Sequence, residues 1–443
     1  MRVEDVRWLR EVLPPSLLEG ITGLRLRRSG HLCLSCRGRG LCGKARCPVL
    51  LRAEALAKVG RELSPRVWGS SPPSVFVGRL GYPKVYVGPM LPPYLGDTSL
   101  LDTPESWTEK SVEEIVGFRS SLVRGKKREG VEVARGGSRL VEVLQEMAMG
   151  KRPVEAEVLL SKKPSGFLTV GEEVPPMGPS APLRGMRVSR VRTDERIERA
   201  FHDGDLRAQE AVVELYQEGV PVSRIQRAFS MGVFGLRDRR RLVPTRWSIT
   251  AVDAILSQEL IEKLKDFDTL DEYRVYSLRH HGNLFLAILM PEKWSFDWIE
   301  SWFPGTTWNP EGAPSPALMG DWEPYQGRKT YPEIGGCYYA CRLAVAERLV
   351  EEGRQASAVV LREIHPGFLL PLGVWFVREC VRKMLRGEPE KFETLEEALA
   401  RARTKLTVPL EEWVKHSGLL RRCLFQRKLT EFWREDHGAG ERA

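Results

Sequence analysis

Short stretches of the chain alternate apolar and polar residues, and many longer ones repeat apolar positions every three to four residues, so hairpins and helices are both expected. Residues 75–77 and 85–87 are β-rich runs separated by a Gly/Pro turn, which predicts a hairpin with proline-stiffened ends. Residues 273–278 and 284–290 flank the turn His280, His281, Gly282, Asn283 and predict a second hairpin. Further strands are expected over 155–160 and 358–364. Helices are expected over 53–63, within 103–125, and over 138–149, 194–218, 222–229, 250–265, 336–351, 373–385 and 395–406. In 250–265 the residues Ile255, Leu256, Leu260, Ile261 and Leu264 fall at helical spacing. Trp294, Trp298, Trp302 and Trp308 are read as the packed stripe of a short helix in preference to a base-stacking surface. The expected fold class is α+β, mixed helices and antiparallel hairpins, with a small N-terminal C4 zinc knuckle described below.

At 443 residues the chain exceeds what one core usually supports, so several units are expected. We divide it into an N-terminal region (1–60), a hairpin-containing α+β region (61–180), a main α+β domain (181–410) and a C-terminal tail (411–443). The most proline- and glycine-dense stretch, 171–187, reads as an interdomain linker or a loop crossing a cleft. No repeat period is visible.

Charge adds a possible partner. The formal net charge is +9, and it concentrates at the ends: residues 1–50 carry ten Arg or Lys against four Asp or Glu, and residues 415–434 carry six against Glu431 alone. Two basic ends suit an anionic partner such as nucleic acid, although such charges also simply solvate a surface. No apolar run reaches the roughly 18 residues that span a bilayer, and the N-terminus lacks a signal-peptide core. The expected location is therefore intracellular and cytoplasmic, associated with the nucleoid. Asparagine is confined to Asn283 and Asn309, which fits heat adaptation or a GC-rich genome.

Residues 31–48 pack four of the eight cysteines, Cys33, Cys36, Cys42 and Cys47, into fifteen residues. Gly38, Gly40 and Gly43 permit the tight turns needed for the four sulfurs to converge. Four thiolates about one tetrahedral ion describe a closed structural Zn2+ site with no open position for catalysis. Buried free thiols, two disulfides or an iron–sulfur cluster are the competing readings.

Phosphate loops, dinucleotide fingerprints, zincin helices and nucleophile elbows are absent from the sequence, which argues against the commonest enzyme families. Three segments concentrate polar residues where loops should be. VPTRWSITAVD offers Arg246 as an anion ligand and Ser248 or Thr250 as caps for a helix carrying Asp253. GDWEPYQGRKTYPEIGG offers Asp321, Glu323, Arg328 and Lys329. LREIHPGFLLPLGVW places Arg362, Glu363 and His365 at a strand end. On an enzymatic reading Arg246, Ser248, Arg328, Lys329 and Arg362 bind phosphate, with His365 or Glu363 as acid or base in a phosphohydrolase or nuclease-like reaction. Bland alternatives are an Arg246–Asp253 pair and a His365 that satisfies a backbone carbonyl. Cys337 and Cys341 are read as core.

Near the C-terminus, Gln426, Leu429, Phe432 and Trp433 occur as Q-x-x-L-x-x-F-W after basic Arg421 and Arg422. Helical offsets gather the leucine and both aromatics on one side, a compact anchor for a groove on another protein or on this chain's own domain.

The Cys33–Cys47 knuckle, PSVFVGRLGYPKVYVGP, LVPTRWSITAVD, GRKTYPEIGGCYYACRLAV, REIHPGFLLPLGVW and QRKLTEFW together resemble the archaeal Nre family of DNA-repair proteins over nearly the whole chain. The resemblance implies a C4-type zinc finger at Cys33, Cys36, Cys42 and Cys47. It implies binding to the sliding clamp (PCNA) through Gln426, Leu429, Phe432 and Trp433, and a role in repairing damaged DNA. It supplies no catalytic residues. An enzyme acting on nucleotides or nucleic-acid phosphates, and an RNA-binding protein, remain as alternatives.

Overall fold

A computed structural model describes residues 21–26, 36, 39–41, 44–60, 63–170, 176–306, 308–309 and 314–426. The first part of the chain runs through β1 (Ile21–Leu26), α1 (Pro48–Gly60), β2 (Arg66–Ser71), β3 (Ser74–Val77), β4 (Lys84–Leu91), α2 (Val112–Ser121), β5 (Val123–Gly130) and α3 (Arg139–Ala148). It continues through β6 (Val154–Leu160), β7 (Gly166–Val170), β8 (Ser180–Val188), α4 (Glu195–His202), α5 (Ala208–Gln217) and α6 (Val222–Ser230). Six of these strands form one sheet in the order β2-β6-β8-β5-β4-β3, and β1 pairs in parallel with β7 apart from it. Val75, Val77, Val85 and Val87 point inward from the first hairpin and pack on Val141 and Leu144 of α3 and Ile225 and Ala228 of α6. Strands β4 and β5 approach so closely that a Cβ at Gly88 would lie 1.8 Å from the Gly125 carbonyl oxygen.

The second part starts with α7 (Thr245–Leu264), followed by β9 (Tyr273–His280), β10 (Asn283–Met290), β11 (Ser295–Trp302) and β12 (Ala317–Glu323). Then come α8 (Gly336–Glu352), β13 (Ser357–Ile364), α9 (Val374–Leu385), β14 (Glu390–Phe392), α10 (Leu395–Lys405), α11 (Leu410–His416) and α12 (Gly418–Phe425). The second sheet has the order β12-β11-β13-β10-β9-β14. Strand β13 inserts between β10, to which it is antiparallel, and β11, to which it is parallel. All eight residues of β10, β11 and β13 are buried, as expected of central strands covered on both faces. One face packs on α8 and α9 through Phe285, Phe296, Trp298, Tyr338 and Phe376. The opposite face packs Leu286, Ile299 and Leu361 on Leu399, Trp413 and Leu420 of α10 to α12.

Helix α7 joins the two halves, because Val252 and Leu256 belong to the core under the first sheet while Ile261 and Leu264 belong to that of the second. The expected α+β class is the one observed. The β9–β10 turn is tight: His281 and Gly282 have φ of 45° and 71°, the left-handed pair that a two-residue hairpin loop needs.

Several local expectations change. The single helix expected over 194–218 is broken in two, since the Asp203 carboxylate accepts the amides of Asp205 and Leu206 and turns the chain at Gly204. The tryptophan stripe is not helical: Trp298 and Trp302 lie buried on β11 and Trp294 is buried just before it, since a spacing of four also keeps residues on one face of a pleated strand, while Trp308 lies beyond the strand and is exposed. Within the proline-rich stretch 171–187, residues from Ser180 onward belong to β8, an inner strand of the first sheet. The helix expected over 250–265 starts at Thr245, which brings Arg246 and Trp247 into its first turn.

Candidate functional site

The proposed phosphate-binding and acid–base residues divide between locations. Arg362 and Glu363 are neighbours on β13, so their side chains leave opposite faces of the sheet. Arg362 is buried on the α8–α9 side. Its Nη1 donates to Glu300 Oε1 at 2.9 Å and its Nε to Asn283 Oδ1 at 2.9 Å, with the Phe285, Phe368 and Phe376 rings 5.3–5.7 Å away. Burial pushes the Glu300 carboxyl up, opposed by the Arg362 charge. On the other face Glu363 Oε1 accepts the backbone amides of Thr407 and Val408, each at 2.7 Å, while Oε2 meets His365 Nε2 at 3.1 Å. Burial opposes the Glu363 charge, but the bonds from His365, Val408 and Thr407 outweigh it and hold the carboxyl below its ordinary value. His365 also stacks on Phe303, with centroids 4.2 Å apart. Glu363 and His365 thus tie the α10–α11 connection to β13, a binding job for the fold, and they do not face Arg362.

Arg328 holds its own loop. Its Nη2 bonds Asp321 Oδ1 at 3.0 Å, its Nε bonds the Thr330 carbonyl at 2.8 Å, and it lies over the Tyr338 ring; Lys329 is exposed. Glu323 is buried in a 2.8 Å pair with Arg342. Ser248 is buried and its hydroxyl donates to the Gln226 carbonyl, so it is not open to a ligand. The Arg246–Asp253 pair considered above does not form: Asp253 is held by Arg378 Nη1, at 2.8 and 3.1 Å, and by Gln226 Nε2 at 2.9 Å. Cys337 lies near Arg246, Arg362 and Glu300, and burial pushes its thiol up to about 12, which keeps it protonated; Cys341 is fully buried.

Arg246 stands exposed at the start of α7, where Pro244 supplies no side-chain cap. Trp247, beside it, packs against Tyr82 at the tip of the β3–β4 hairpin, with ring centroids 5.2 Å apart at 54°. Thr245 Oγ1 accepts the Val77 amide at 3.0 Å, which fastens this hairpin to the helix. Neither aromatic was assigned a role from the sequence. Their signal there is an aromatic beside an arginine and another in a Gly/Pro turn, within segments 239–252 and 63–96 that contain no Asp or Glu.

Of the knuckle, Cys36 and Cys47 are described, while Cys33 and Cys42 lie outside the described residues. Cys36 is buried and its Sγ accepts the Leu41 amide at 3.2 Å. Cys47 directly precedes α1, and its carbonyl accepts the Leu51 amide at 3.0 Å. Among the described residues no three His, Cys, Asp or Glu side chains are grouped to hold a metal. Lys44, between the second pair of cysteines, donates through Nζ to the Phe368 carbonyl at 2.9 Å and clasps the knuckle segment to the β13–α9 loop.

At the other end, Asp297 anchors the helix that leads to the tail. Its Oδ2 accepts Ser417 Oγ at 2.7 Å and the Leu419 amide at 3.1 Å, at the N-terminus of α12, while Oδ1 is buried without a partner among the described residues. Burial pushes this carboxyl up to about 6 against those bonds, and Asp321 adds to the rise. Gln426 follows α12 and is exposed; Leu429, Phe432 and Trp433 lie outside the described residues. Among the described residues no helix is long and apolar enough to cross a membrane.

The sequence pattern of the family described as "Archaeal Nre, N-terminal" matches residues 41–309, and that of "Archaeal Nre, C-terminal" matches residues 323–432. The chain is 45% identical to the DNA repair protein NreB of Archaeoglobus fulgidus over 401 residues, 90% of this chain and 99% of that protein. It is 36% identical to the DNA repair protein NreA of the same organism over 382 residues, 86% of this chain and 95% of that protein. NreA of Haloferax volcanii is 35% identical over 361 residues, 80% of this chain and 86% of its own length. No solved structure matches the chain. Two family patterns that between them span most of the sequence, and relatives aligned nearly end to end, agree: the chain belongs to the archaeal Nre family.

Proposed function

We propose that this protein is a DNA-damage repair factor that the sliding clamp (PCNA) recruits through Gln426, Leu429, Phe432 and Trp433. The observation that carries the repair reading is the 45% identity, across 90% of the chain, to a protein named for DNA repair. Support for recruitment is chemical: a glutamine, a leucine and two aromatics at offsets 0, 3, 6 and 7 suit a hydrophobic groove with one polar edge. The motif begins at the surface, since Gln426 is exposed directly after a helix whose Leu419 and Leu420 are anchored in the core. Phe432 and Trp433 fill the groove and dominate the affinity, as buried aromatic anchors do.

In this reading Cys33, Cys36, Cys42 and Cys47 hold a structural zinc ion that folds the N-terminal segment and takes no part in chemistry. The basic chain ends contact DNA. The phosphohydrolase alternative loses support from geometry, because Arg362 is committed to Glu300 and Asn283 on one face while Glu363 and His365 are committed on the other.

Calorimetric titration of the full chain with the clamp tests recruitment. Changing Phe432→Ala and Trp433→Ala together should weaken binding at least about 30-fold, the effect of losing one hot-spot anchor or more. Undiminished affinity would remove the tail assignment.

A further inference from the structure

We propose that the tip of the β3–β4 hairpin and the first turn of α7 form a stacking platform for single-stranded nucleic acid, with Tyr82 and Trp247 as the base-contacting rings. The two rings touch, 5.2 Å between centroids, yet Tyr82 remains 46% and Trp247 44% exposed. Trp68, Trp308 and Trp322 are also exposed, but Trp247 is the exposed tryptophan whose ring packs on a second exposed aromatic among the described residues. The platform is held in place. The hairpin tip is closed by Lys84 N–H to the Gly81 carbonyl at 2.9 Å and Gly78 N–H to the Tyr86 carbonyl at 2.7 Å, and Thr245 bonds the hairpin to α7.

Four cations belong to these same elements or to the adjoining strand. Arg79 and Lys84 flank Tyr82 in the hairpin, Arg246 precedes Trp247, and the Arg128 guanidinium comes beside Gly81. All four are exposed, and among the described residues their charged groups make no hydrogen bond or ion pair. No carboxylate occurs in 63–96 or in 239–252, the segments that carry Arg79, Lys84 and Arg246. Along β4, exposed Tyr86 stands in register with Arg128 of β5, which extends the alternation of ring and cation down the sheet.

Fixed aromatic faces interleaved with unneutralised cations suit a strand whose bases are unstacked and whose phosphates are evenly spaced. A duplex offers its phosphates but not its base faces. The choice of DNA over RNA as the strand rests on the repair reading above; the stacking chemistry is common to both.

The test is fluorescence anisotropy of the full-length protein at fixed salt, with oligo-dT, oligo-U and a duplex of equal length, in the absence of the clamp. Trp247→Ala and Tyr82→Ala should each weaken oligo-dT binding about tenfold, and Trp247→Phe should restore most of it. Arg246→Ala should lower the slope of log affinity against log salt by about 0.7, the value for one phosphate contact on a single strand. Because both rings are exposed, unchanged melting temperatures would show the variants folded. Ring-dependent binding of oligo-dT or of oligo-U supports the platform, and their ratio names the sugar. Equal affinity for duplex and single strand with no effect of either ring overturns it, as does failure of the unaltered protein to bind either strand. The Phe432→Ala, Trp433→Ala protein should keep oligo-dT binding, which separates failure of the platform from failure of clamp recruitment.

Discussion

Asp297→Asn is the most informative single change, because it exchanges a buried charge for a neutral group of the same shape at the root of the tail helix. Among the described residues the aspartate has no cationic partner; it is held by Ser417, the Leu419 amide and the start of α12. Its carboxyl is raised from an ordinary 3.8 to about 6, so burial outweighs those donors. Between about pH 4 and pH 6 the folded protein keeps a proton that the unfolded chain has released. Stability from this group is therefore complete below about pH 4 and is lost as pH rises through 6. At about 1.4 kcal/mol per pH unit the loss amounts to about 3 kcal/mol. In the Asn variant the carbonyl oxygen takes the place of Oδ2, and the amide replaces the oxygen that has no partner, at a cost of about 1–3 kcal/mol that does not vary with pH. Urea unfolding followed by tryptophan fluorescence from about pH 4 to pH 8 measures both. The variant should begin less stable than the unaltered protein and gain on it by about 3 kcal/mol as the pH rises. Parallel curves across that range would refute the argument, since they would mean that Asp297 carries no raised proton affinity in the fold.

Arg362→Met leaves Glu300 buried without its partner and should destabilise by about 3–5 kcal/mol in thermal or urea unfolding, whereas adding Glu300→Leu should recover most of that loss. An unchanged midpoint in the single variant would show that the pair is solvated. Cys36→Ser should drop the zinc content of the purified protein well below one equivalent by atomic absorption and lower the unfolding midpoint of the N-terminal segment; full stoichiometry would remove Cys36 from the ligand set.

Local sequence rules read the hairpins best. His281 and Gly282 carry the left-handed turn that the polar break between two apolar runs announces, and β9 and β10 follow on either side. The tryptophans show where periodicity is ambiguous: a spacing of four satisfies a helix and a strand alike, and only the depth of burial on both faces decides for β11. Strand β12 carries no strand signal in the sequence because, apart from its last residue, it is exposed or half-buried at a sheet edge and lacks a clear apolar alternation. The Arg362 and Glu363 assignment shows a different limit. Once 358–364 is read as a strand, the rule of alternation already separates consecutive side chains, so a shared pocket was excluded by the same pattern that predicted the strand. Tyr82 and Trp247 illustrate what no local rule reaches, since their contact depends on a hairpin and a helix start distant in the chain.

Strand β13 ties together the two sequence patterns of the family. The N-terminal pattern ends at residue 309, after β11, and the C-terminal pattern begins at 323, so β10 and β11 come from the first and the strand that separates them from the second. Cutting the chain between the patterns would yield two interdigitating halves of one sheet, each missing its central contacts, in place of two domains. Such halves are useful only together: expressed apart they should be insoluble, and expressed together they form a natural pair for fragment complementation, with β13 as the key that joins them.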